Sequence, residues 1–92
     1  MLIVSQDKEL IINLSNVIGI QKEEKNIGAV FVNGDSLILG EYKTEKRAKE
    51  VLQEIIKKYK GTEALKIAIN SLSDEVGALG IERVFVYEMP KE

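Results

Sequence analysis

The sequence predicts an α+β fold: an antiparallel sheet of about five or six strands with two helices packed on one face. Three observations carry that expectation. Ala48, Val51, Leu52, Ile55, Ile56 and Tyr59 recur at i, i+3, i+4, i+7, i+8 and i+11, which is one face of a helix of period 3.6. Short apolar runs separated by turn residues fill the chain before that helix. After it, Glu82 to Met89 alternates as a strand does.

In chain order, Leu2 to Ser5 and Leu10 to Leu14 flank the polar Gln6-Asp7-Lys8-Glu9 and read as a hairpin. Ser15-Asn16 punctuates before the strand Val17-Ile18-Gly19-Ile20, which the charged stretch Gln21 to Asn26 ends at a solvent loop. Ile27 to Val32 and Ser36 to Tyr42 surround Asn33-Gly34-Asp35, where Asn-Gly supplies the positive φ values of a type I′ hairpin turn. Thr44 is the expected N-cap of the first helix, and Gly61 its expected C′ residue. Leu65, Ala68, Ile69, Leu72 and Val76 then form a second helical stripe, with Thr62 before Glu63 as its N-cap. Ala64 to Ile69 also alternates in part, so residues 62–76 read as helix or as strand; Gly77 and Gly80 end them either way. In the last strand Val84 and Val86 share one face, while Arg83, Phe85, Tyr87 and Met89 share the other. Pro90 stops it, since proline cannot donate to a ladder. This strand returns to the sheet internally or at an edge, and at an edge Val84-Phe85-Val86-Tyr87 is open to a second chain.

The 92 residues are read as a single domain, near the size at which self-association helps stability. With 45% hydrophobic and 30% charged residues the chain belongs to the soluble globular class. Its apolar runs fall short of the roughly 20 residues of a membrane span, and Met1 to Val4 lacks the basic start of a secretory signal, so a cytoplasmic protein is expected. Cysteine and histidine are both absent, which removes disulfides, thiolate nucleophiles, Cys/His metal sites and the side chain that titrates near neutrality. A net charge of −2 provides no field for general nucleic-acid or anionic-lipid binding.

Two clusters invite a ligand. Lys43, Lys46, Arg47 and Lys49 crowd the start of the first helix, where backbone N–H groups already favour an anion. The bland alternative pairs Glu45 with Lys49 and Lys46 with Glu50 on a solvated face. Arg83 shares a strand face with Phe85 and Tyr87, and a guanidinium beside two rings can hold a nucleobase or a sugar phosphate. The alternative there makes Phe85 and Tyr87 core or dimer-interface residues, with Arg83 at their rim. Glu23-Glu24 and Asp74-Glu75 are neighbours in sequence, so on regular structure their carboxylates diverge. Ser5, Ser15, Ser36, Ser71 and Ser73 have no histidine to activate them. The chain is therefore read as a non-enzyme without cofactor or metal, and Lys43, Arg47, Arg83, Phe85 and Tyr87 are its candidate ligand-binding residues.

Met1-Leu-Ile-Val-Ser-Gln-Asp-Lys8 with Ile11-Ile-Asn-Leu-Ser-Asn-Val17, the stretch Leu39 to Leu52 and the terminal Val86-Tyr-Glu-Met-Pro90 are similar to short proteins carried by phages and prophages of Gram-positive bacteria. Among such proteins, a sheet followed by two helices most resembles the Thoeris anti-defence sponges, which bind and hide cyclic ADP-ribose messengers, in some cases cyclic oligonucleotides. That resemblance implies a protein that sequesters a small cyclic nucleotide or ADP-ribose-type ligand, in the host cytoplasm and as a homo-oligomer. None of that family's contact residues is transferred to this chain. The alternative is a protein interaction module or inhibitor working through its sheet face or an edge strand, with Phe85, Tyr87 and Met89 exposed in the monomer.

Overall fold

The computed structural model describes residues 1–72 and 86–92. The hairpin at the start of the chain forms as expected: β1 (Leu2–Val4) pairs antiparallel with β2 (Ile11–Asn13). Asp7 holds its turn, accepting from Ser5 Oγ at 2.6 Å and from the Glu9 N–H at 2.9 Å. A 3-10 turn at Leu14–Asn16 follows, in which Asn13 Oδ1 accepts from Ser15 N and Ser15 Oγ. This side chain offers the backbone a local alternative to the ladder, and the sheet breaks there.

A second sheet begins after that break. Its strands are β3 (Val17–Glu23), β4 (Asn26–Phe31) and β5 (Ser36–Glu41), antiparallel in the order β3-β4-β5. Gln21 to Glu23 belong to β3 and Asn26 to β4, so the loop expected over Gln21 to Asn26 shrinks to Glu24-Lys25, with Glu24 at φ 54°. The Asn33-Gly34 hairpin is present with a different turn. Gly34 alone takes the left-handed conformation there, at φ 91°, and its N–H donates to Phe31 O at 2.9 Å. Phe31 N donates to Asp35 O, so a type I turn closed by a left-handed glycine replaces type I′. Asn33 spends its side chain on Asp35, accepting from its N–H and donating to its carboxylate.

One helix, α1, runs from Glu45 to Leu72. Thr44 caps it as expected, its Oγ1 accepting from Arg47 N at 3.0 Å. Gly61 does not end it, and Thr62 lies inside it rather than capping a second helix. Residues 62–72 are thus helical; 73–76, Gly77 and Gly80 lie outside the described residues. A glycine inside a helix costs only about 1 kcal/mol relative to alanine, less than a capped break in an otherwise strong helical pattern. The expected pair of helices is therefore a single one among the described residues.

The last strand, β6 (Val86–Glu88), runs parallel to β1 and, among the described residues, lies at the edge of the order β2-β1-β6. Among the described residues, the expected single antiparallel sheet is instead two sheets of three strands, one of them mixed. Gln6 joins them. Its N–H donates to Leu39 O, its Nε2 to Glu41 O and Lys91 O, and its Oε1 accepts from Glu41 N. One apolar cluster spans both sheets and the helix: Ile3 and Ile12, Ile27, Ala29 and Leu39, then Ala48, Val51 and Ile55, with Tyr42 and Met89. Ile3, Ile27 and Val51 are fully buried, and burial of each such side chain contributes about 1.5–3 kcal/mol. Met89 fits because Gly40 has no side chain; a Cβ there would meet Met89 Cε at 3.1 Å and Tyr42 OH at 3.0 Å.

Candidate functional site

Two of the five candidate ligand residues meet, and a residue not among them joins them. Arg47, in the first turn of α1, points its Nη1 at Glu54 Oε1, 3.9 Å away, and donates from Nε to Glu92 O at 3.0 Å. Tyr87 donates its hydroxyl to the other oxygen of Glu54 at 2.7 Å. Tyr42, at the end of β5, donates to Pro90 O at 2.9 Å. Burial, then the hydrogen bond to Glu54, pushes the Tyr87 phenol far above the usual tyrosine range. Burial raises Tyr42 as well, with the Arg47 charge opposing it.

Lys43 stands exposed between β5 and α1. Arg83 and Phe85 lie outside the described residues. Among the described residues, neither Glu45 with Lys49 nor Lys46 with Glu50 closes to an ion pair. Met89 is buried and Tyr87 half-buried against the core, which corrects their expected exposure. Among the described residues of the expected strand, Val86 and Tyr87 are both half-buried and Glu88 is exposed, while Glu82 to Phe85 lie outside the described residues. Glu54 follows Arg47 by seven positions, two turns along one helix face, and that spacing was the available signal for it. Beside this cluster lies a depression of about 540 Å³ lined by Glu54, Lys57, Lys58, Tyr87, Glu88 and Pro90.

The sequence reading missed a second concavity, a cleft of about 610 Å³ between β3 and α1. Val17, Ile18, Ile20, Leu52, Ile56 and Tyr59 form much of its wall, and among the described residues Lys60 is its one charged side chain. Ile18 is 66% exposed, Ile56 45% and Tyr59 44%. Of the helical stripe, Ala48, Val51 and Ile55 are core, whereas Ile56 and Tyr59 are open to solvent. Half-buried Val17, Ile20 and Leu52 continue the apolar surface from the core to those exposed residues.

Among the described residues no three acidic side chains gather as metal ligands, and no helix is long and apolar enough to cross a membrane. The fold is α+β. Comparison with family models, curated proteins and solved structures finds no match to the chain.

Proposed function

We propose that this protein is a binding module that holds a protein partner in the cleft between β3 and α1 and catalyses no reaction. One observation carries the reading: Ile18, Ile56 and Tyr59 are exposed in a single concavity continuous with the core. Contiguous exposed apolar surface with an aromatic residue and a polar rim is how partner surfaces are built. On this reading the protein is an inhibitor or regulator acting in the cytoplasm. Capture from a lysate with the parent chain and with Ile56→Asp tests it. Partners retained by the parent and lost by the variant, at an unchanged unfolding midpoint, are expected; equal recovery removes the cleft from consideration.

A second reading is favoured by the depression beside Tyr87, where Lys57 and Lys58, with Glu54 and Glu88, line a hollow that includes an aromatic ring. Two ammonium groups and a ring suit a small anionic ligand with a base, and the resemblance to anti-defence sponges of phages points to a cyclic nucleotide or ADP-ribose. Such a ligand would compete with Glu54 for Arg47. Thermal shift against a panel of cyclic nucleotides and ADP-ribose isomers is the test, because a ligand at 100 times its Kd adds about 2.7 kcal/mol of stability. A panel without any shift counts against it. Sedimentation tests the homo-oligomer that the chain's size and the resemblance both suggest.

A further inference from the structure

We infer that the partner in the β3–α1 cleft is an extended segment of another protein, added as a strand to the open edge of β3, with apolar side chains at alternate positions and an acidic residue beside Lys60. The inference rests on the protein-binding reading. β4 occupies one side of β3, and among the described residues no strand occupies the other. The closing pair of the hairpin is Glu23 with Asn26. Alternation from that pair turns the N–H and C=O of Lys22 and Ile20 away from β4, toward the open side. At seven residues β3 is the longest strand among the described residues, and it holds no proline. Among the described residues the other edges are less available: Gln6 bonds to Leu39 and Glu41 on β5, and β2 has three residues.

Geometry and charge then specify the incoming segment. A strand added about 4.8 Å from β3 stands above the cleft, and every second side chain points down between Ile18 and Tyr59. A register shift between Val17 and Gly19 leaves Ile18 outside the β4 ladder, which frees it for such contact. Lys60 is the one charged side chain in the wall among the described residues, so an acid on the segment is attracted and a base repelled. A second copy fits less well. Antiparallel pairing of β3 with itself through Ile20 sets Lys22 opposite Ile18, which adds a second cation to a wall that already has Lys60.

The test follows backbone amide signals of the full chain during titration with synthetic peptides of alternating valine and threonine. One peptide ends in two aspartates, one in two lysines, and a third carries the aspartates and a central proline. The aspartate peptide should shift Val17 to Lys22 and Leu52 to Lys60 and bind at least about tenfold tighter than the lysine peptide. Proline should abolish binding, and Lys60→Glu should reverse the preference. Shifts confined to other residues, indifference to end charge, or survival of binding with proline would each overturn the inference. A photo-cross-linker placed at Ile56 separates the two levels: a trapped protein partner with no peptide response leaves the protein-binding reading standing and removes strand addition. With neither, both fall. A concentration-dependent dimer dissolved by Ile18→Asp puts a second copy in the cleft and also overturns it.

Discussion

Glu24 occupies the left-handed region at φ 54° in a two-residue turn, a conformation that costs a residue with a Cβ about 1–2 kcal/mol. Glycine escapes that cost and gives back part of the gain as unfolded-chain entropy. Glu24→Gly should therefore raise stability by about 1 kcal/mol, read from the urea midpoint. Tyr87 makes a different case. Its hydroxyl is protonated more tightly in the folded chain than in the unfolded one, whose phenol titrates near 10. The stabilisation is complete below that pH and is lost as pH rises above it, because the unfolded state then releases its proton first. Parent stability should begin to fall near pH 10 and keep falling as pH rises further. Tyr87→Phe should start about 1 kcal/mol lower at neutral pH and fall less over that range, as denaturation at several pH values would show. The Arg47–Glu54–Tyr87 contacts were half legible: the chemistry of Arg47 and Tyr87 marked them, but their common partner lies 33 residues from Tyr87 in sequence.

The helix shows what periodicity can and cannot say. Period 3.6 identified the stripe and Thr44 the cap, because both are local properties of the chain. Its length was misread because glycine is a strong punctuator only where a left-handed turn follows, and Gly61 continues the helix. A Cβ at Gly61 would meet nothing within 4 Å, so no packing requires glycine there. Gly61→Ala should stabilise the protein by about 0.5–1 kcal/mol, measured as a higher thermal midpoint. The stripe's outer end, Ile56 and Tyr59, was indistinguishable from core by pattern alone, since a helix presents the same face to a core and to a cleft.

At the scale of the molecule, Gln6 connects what the strand ladders leave separate. It bonds to the backbone of Leu39, Glu41 and Lys91, tying the second sheet and the C-terminal residues to the β1–β2 turn. Gln6→Ala leaves the Glu41 N–H and two carbonyls without that partner and should cost about 1–2 kcal/mol. Hydrogen exchange should then quicken at the amides of Glu41 and Met89, which join the segments Gln6 holds together. No change at either amide would mean that the core alone fixes the two sheets.

From its sequence alone, this chain determined the α+β class, the two hairpins, the capped helix and the extended Val86–Glu88, because each depends on side chains within a few residues of one another. Only the tertiary structure decided that the strands divide into two sheets, that β6 runs parallel to β1, that Met89 faces inward, and that β3 and α1 part to leave an apolar cleft. Those outcomes depend on contacts between residues distant along the chain, and local periodicity carries no record of which faces meet.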